Sequence, residues 1–256
     1  MPRHSGPHAY TALLYALEFF ELQVAFARKV AEIQGVPLAD LPMEWTILRQ
    51  LLHLRVSATT PNPAWAAYIE GVAGGDEPAQ AAHDLAIRRA ADGLFDPDGT
   101  ASWGCFHYVY PWRGEPTVGV TFENRDPTSH GTLSRERMPV RMSELRAMFA
   151  HIRHAHPGAK AVRGSSWMHN IEAYQRLFPS EYVVSAEHCG YETGFWALWG
   201  QFVARDGGLR ESTARPFLER LRTQTTTEGC LRCFPYEVLK PRCDISVFYV
   251  FYGIDQ

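Results

Sequence analysis

The run His130 to Arg137 (HGTLSRER) concentrates groups that hold anions. Thr132 and Ser134 bring hydroxyls, Arg135 and Arg137 bring forked guanidinium groups, and His130 adds an imidazole. A helix beginning just after the run would add free amides and the positive end of a dipole. The set suits a phosphate or sulfate. It also suits a solvated loop whose arginines pair with Glu136 and Asp126. A second polar run, Gly164 to Asn170 (GSSWMHN), follows a short apolar stretch and precedes a helical pattern. There His169 is a proton carrier if its pKa stays ordinary, Ser166 orients a substrate, Trp167 forms a pocket wall, and Asn170 contacts ligand or caps the helix. Gly164 to Met168 lacks the second glycine of a nucleophile elbow. Among carboxylates at strand ends or loops, Glu115, Glu123 and Glu187, the base of choice is Glu123, which adjoins the anion run.

Five cysteines in a chain of 256 residues are too few and too odd for a disulfide scaffold, and they read as reduced thiols in a cytoplasm. Cys230-x-x-Cys233 supplies half of a structural zinc set, so no metal is expected and the thiols read as buried. A net charge of -3 argues against a nucleic-acid partner. The apolar start from Ala9 to Ala27 is broken by Glu18, Glu21 and Gln23, which excludes a membrane span or signal peptide.

These groups need elements to hold them. His8 to Gln34 carries two apolar stripes, one through Leu17, Val24 and Ala31 and one through Phe19, Leu22, Phe26 and Val30. A helix apolar on two faces is buried between layers, and Gly35 and Pro37 end it. Helical patterns recur at Met43–Leu54, from Asn62 or Pro63 to Ile69, and at Pro78–Ala91, and Gly93–Thr100 is a turn-rich connector. The texture then changes. Trp103–Tyr110 and Thr117–Phe122 form a hairpin across a longer loop, and Ser143 caps a helix to His156 whose apolar face is Leu145, Met148, Phe149 and Ile152. A strand at Ala161-Val162 leads to a helix from Asn170, stopped by Pro179. Further strands are expected at Tyr182–Val184, Phe195–Val203 and Ile245–Tyr252, with a helix from Thr213 to Arg222.

The order strand, helix, strand, helix, strand, then a late strand resembles the conserved half of the GNAT-type acyltransferase superfamily. Asn170-x-x-Ala173 after a strand looks like that superfamily's N-x-x-A segment, and the resemblance spans roughly Thr117 to Val184. It implies a mixed sheet and transfer of an acyl group from a coenzyme A thioester to an amine. In the family a glycine-rich turn before the first helix holds the coenzyme A pyrophosphate. Here that place is HGTLSRER, with one glycine. The family's tyrosine acid, seven residues after the asparagine, falls on Leu177, and Tyr174 is the phenol one turn earlier.

The expectation is therefore an α+β (or α/β) protein in which a helical N-terminal region, residues 1–95, packs on a GNAT-like mixed sheet, residues 96–256, as one cooperative unit. Its function is that of an enzyme of small-molecule metabolism holding an anionic group. Acyl transfer to an amine is the first reaction. A ring-closing displacement or elimination with sulfate or phosphate as leaving group is the alternative, and a non-catalytic small-molecule binding module is the third reading. The candidate catalytic residues are His169, Glu123, Ser166 and Tyr174. The candidate ligand-binding residues are His130, Thr132, Ser134, Arg135, Arg137, Trp167 and Asn170.

Overall fold

A computed structural model describes residues 15–41, 45–48, 70–71, 77–91, 102–124, 126, 131–204 and 206–254. Most of the expected helix at Met43–Leu54, the short helix ending at Ile69, the connector Gly93–Thr100 and His130 lie outside the described residues. The fold is α+β. Two compact units divide the chain: Met1–Asp98 with Thr193–Pro235, and Gly99–Glu192 with Tyr236–Gln256. The helical unit thus takes in residues 193–235, from the stretch read in the sequence as part of the sheet region.

In chain order the elements begin with helix α1 (Leu17–Gln34), a 3-10 turn at Leu38–Asp40 and helix α2 (Pro78–Ala91). Then come β1 (Ser102–Trp103), β2 (Phe106–Val109), β3 (Thr117–Phe122), α3 (Met138–Ala155) and β4 (Ala161–Arg163). A 3-10 turn at Trp167–Asn170 precedes α4 (Glu172–Gln175), α5 (Ser180–Val184) and β5 (Glu187–His188). The chain continues through α6 (Trp196–Trp199), α7 (Glu211–Arg222) and α8 (Thr227–Leu231). It closes with β6 (Leu239–Lys240), β7 (Arg242–Asp244) and α9 (Ile245–Phe251). No helix among the described residues is long and apolar enough to cross a membrane.

Within the helical unit, α1 buries both of its apolar stripes: Phe19, Leu22, Phe26 and Val30 from one, Val24 and Ala31 from the other. Phe26 sits at the centre of an aromatic cluster, with Trp199, Phe217 and Phe234 at centroid distances of 5.4, 6.1 and 5.4 Å. Gly35 ends α1 at φ 68°, in the left-handed region where a side chain is strained. The expected strand Phe195–Val203 is helical instead, as α6 and a 3-10 turn at Gly200–Phe202. A short, uniformly apolar run does not distinguish strand from buried helix, and the Phe26 cluster accommodates Trp199 from a helix.

The sheet unit holds a five-stranded sheet in the order β1-β2-β3-β4-β7 and a two-stranded one, β5-β6. β1, β2 and β3 are antiparallel, as the hairpin reading requires. β3 and β4 are parallel and joined by α3, and β7 returns antiparallel to β4. Val118, Val120 and Val162 meet Leu145, Met148, Phe149 and Ile152 of α3 and Phe248 of α9 in one core. The helix expected from Ser143 begins earlier, at Met138, with Pro139 in its first turn, where a missing N–H costs nothing.

Two further expected strands are helices. Tyr182–Val184 belongs to α5, where Val184 is 82% exposed and Tyr182 buried. Ile245–Tyr252 becomes α9, because the Asp244 carboxylate accepts from Ser246 N at 2.7 Å and caps it. Ile245, Phe248 and Tyr252 then share one buried face at helical spacing. The closing strand is the preceding β7.

A buried ionic node joins three parts of this unit. The Asp126 side chain, fully buried, accepts from Arg137 Nε at 2.6 Å and from Arg141 Nη2 at 3.0 Å. Arg141, 2% exposed, also meets Glu144 Oε1 at 3.1 Å and donates to Cys105 Sγ. The other Glu144 oxygen accepts from Cys105 N at 3.2 Å. Gly104, at φ 60°, is required here, since a Cβ would fall on the Glu144 carboxylate. Removing one member of a buried ion pair costs about 3–5 kcal/mol, because the remaining charges stay desolvated. Asp126→Asn is therefore expected to lower unfolding stability by about that much in urea titrations of the full chain, whereas a loss below about 1 kcal/mol would show that the node is not structural.

Candidate functional site

The residues after β3 wind into turns that lead directly into α3. Ser134 N donates to Gly131 O at 2.8 Å, and Arg137 N and Met138 N both donate to Ser134 O at 3.1 Å. These amides are spent locally and do not form an anion nest. Thr132 donates its hydroxyl to Asn124 Oδ1, and Arg137 is held by Asp126. Ser134 Oγ is buried with no partner among the described residues, while Arg135 faces solvent. Thr132 and Arg137 thus serve the segment's own fold, while Arg135 and Glu136 are exposed.

β3 and β4 pair over only three positions, from Thr117 with Ala161 to Gly119 with Arg163. β3 then runs on to Phe122 against β2, while the other chain turns away at Gly164, whose N–H donates to Pro241 O at 3.1 Å. The carboxyl ends of the two parallel strands therefore part. In open sheets with parallel strands, ligands bind in the crevice outside such ends.

The GSSWMHN run follows directly on this parting. Ser166 Oγ accepts from Met168 N at 3.1 Å and caps the 3-10 turn, a role read in the sequence for Asn170. Asn170 instead donates its amide to Trp167 O and Glu237 O at 2.8 and 2.9 Å, pinning the turn to the chain before β6. Trp167 stacks on Tyr236 at 5.9 Å. The helix expected to run from Asn170 is broken into that turn and α4.

His169 and Tyr174 do come together. The imidazole is 5% exposed and lies 5.1 Å from the Tyr174 ring, 6.1 Å from Phe178 and 5.8 Å from Tyr182. Tyr174 in turn meets Phe122, the last residue of β3, edge to face at 5.7 Å. Gly164 is the floor: a Cβ there would stand 2.5 Å from Tyr182 Oη and closer still to His169 Nε2. Glu123 leaves β3 next to Phe122, half-buried, its N–H donating to Cys105 O at 2.8 Å. Tyr182 is the member that sequence reasoning missed. It sat in an apolar triplet read as a strand, and only helical α5 turns it inward.

Burial sets the chemistry of this cluster. It depresses the His169 pKa to about 3, and it pushes the Tyr174 and Tyr182 phenols well above their usual range. The imidazole is thus neutral at pH 7, and both phenols stay protonated. His169 carries no charge here, in contrast to the proton carrier expected from its type. In the other unit, burial also raises the Cys230 thiol to about 11, and among the described residues no three His, Cys, Asp or Glu side chains are placed to hold a metal ion.

No protein-family model matches the chain, and no curated protein and no solved structure is significantly similar to it.

A histidine whose pKa is lowered by folding stabilises the fold above its unfolded value, near 6.5, and this contribution is lost as pH falls toward about 3. At pH 5 the loss amounts to about 2 kcal/mol, from roughly 1.5 pKa units. Comparing urea unfolding at pH 7.5 and 5, His169→Gln is expected to lose about 2 kcal/mol less than the parent. Parallel pH profiles would place the imidazole in contact with water.

Proposed function

We propose that the chain is an enzyme of small-molecule metabolism that transfers an acyl group to an amine at the parting ends of β3 and β4. That parting is the observation that carries the reading: parallel strands joined by α3 separate after three residue pairs, beside the buried cluster of His169, Tyr174 and Tyr182. The GNAT-like resemblance supports the reading through the β3-α3-β4 unit and the Asn170-x-x-Ala173 segment alone, since the strands it placed at Tyr182–Val184 and Ile245–Tyr252 are helices.

A thioester acyl donor supplies an activated carbonyl. The amine must reach it as a free base, and Glu123, at the end of β3, takes the proton lost from the attacking nitrogen. Tyr174 and Tyr182, held protonated, donate hydrogen bonds to the oxygen on which negative charge develops. Neutral His169 orients those phenols. Arg135, the outward cation before α3, meets the phosphates of the donor in place of an amide cradle.

Displacement of a sulfate or phosphate is the weaker reaction, since Asp126 already occupies Arg137. The binding-module reading gains from the neutral His169 and Tyr174, which suit recognition without proton transfer.

Thermal melting separates the three. A ligand at about 100 times its dissociation constant adds about 2.7 kcal/mol, a rise of several degrees for a chain of this size. Acyl transfer predicts such a rise with coenzyme A, thiol release from an acyl thioester in the presence of amines, and a loss of rate of about 100-fold or more in Glu123→Gln. A saturable response to sulfate that is abolished in Arg135→Gln, without one to coenzyme A, would favour displacement. Binding of amines or acyl donors without turnover would leave the binding module.

A further inference from the structure

The face of the sheet turned away from α3 carries a second polar feature. The loop between β2 and β3 closes through Arg113 and Gly114, at φ 51° and 83°, with Trp112 and Glu115 bridged across the turn. This folds the Trp112 indole back onto β3 at Gly119, where any Cβ would strike the ring. The Arg163 guanidinium lies 5.3 Å from the centroid of the same indole. Across the antiparallel β4/β7 pair, Arg163 stands directly opposite Arg242.

Two arginines face to face on a ladder repel. Glu115 reaches only Arg242, at 3.4 Å, and no carboxylate pairs with Arg163 among the described residues. Besides this positive excess, two buried N–H groups have no acceptor among the described residues, Arg163 Nε and Trp112 Nε1. Orphaned buried donors are rare, and both of these would be satisfied by oxygen. A guanidinium 5.3 Å from an indole centroid is drawn to the ring and still has N–H groups to offer a planar or tetrahedral oxyanion.

We propose that Trp112, Arg163 and Arg242 form a binding site for an oxyanion, the carboxylate or phosphate group of a small metabolite. Arg163 supplies the charge and its Nε–H donor, Trp112 holds Arg163 by a cation–π contact and adds an indole donor, and Arg242 adds the second charge. Glu115 holds Arg242 in reach and keeps the rung from repelling when no anion is bound. The site lies on the opposite side of the sheet from Leu145, Phe149 and Phe248, and it stands whether or not the chain transfers acyl groups.

The test is a titration of the full chain with inorganic phosphate and, separately, succinate, at constant ionic strength. The readout is the Trp112 indole N–H resonance, identified as the signal missing in Trp112→Phe. The expected result is a saturable shift with one of the two probes, which also tells phosphate from carboxylate. Removing a charge-assisted partner weakens such binding roughly tenfold or more, so Arg163→Gln should lose at least that, and Arg163→Lys should recover part of it. Trp112→Phe, which keeps an aromatic ring and loses the donor, should weaken binding several-fold in a melting-temperature assay. Arg232→Gln, an exposed arginine of the helical unit, should bind like the parent. No saturable response to either probe, or equal affinity in Arg163→Gln or in Trp112→Phe, overturns the proposal.

Discussion

The sheet unit depends on a carboxylate without access to water. Asp126 neutralises Arg137 and Arg141, and Arg141 carries the connection on to Glu144 and Cys105. The node ties the β1–β2 turn, the chain leaving β3 and the first two turns of α3 to one point. Burial raises the Glu144 pKa, a shift opposed by the Cys105 N–H and then by Arg141. Such a node contributes little net energy against an apolar substitute, but it penalises any arrangement that separates its members. It thereby fixes where α3 begins relative to the end of β3.

That placement has a consequence for function. The polar run at the start of α3 has the composition of an anion loop, yet its amides close turns and Arg137 is internal. The buried histidine and phenols of this unit gather instead near where β3 and β4 part. There the missing side chain of Gly164 lets a histidine and a tyrosine approach the backbone closely. The same strand end serves the opposite face through its neighbour. Arg163 projects onto Trp112 while Gly164 meets His169 and Tyr182, because successive residues of extended chain point to opposite sides. One rung of β4 thus borders two polar environments, one neutral and buried, one cationic and open.

Local patterns in the sequence determined much of the scaffold. The two stripes of α1, the Gly35 stop, the β2–β3 hairpin, the apolar face of α3 and the β4 strand all rest on period, punctuation and turn chemistry, which act over a few residues. The start of α3 was within reach too, since Pro139 marks a first turn more strongly than Ser143 marks a cap. Likewise Asp244-x-Ser246 signalled that the final apolar run is a helix. Tertiary structure decided what those rules leave degenerate. Phe195–Val203 and Tyr182–Val184 are apolar enough for either strand or helix, and the space beside Phe26 and beside His169 selected helix. Side-chain type proposed His169 as a proton carrier, but a pKa depends on the water around the ring, and only the packing of Tyr174, Phe178 and Tyr182 removes it. The sequence placed Arg137 near Asp126. That the pair is buried, and that no carboxylate among the described residues pairs with Arg163, depend on which strands lie side by side, information spread over contacts far apart in the chain.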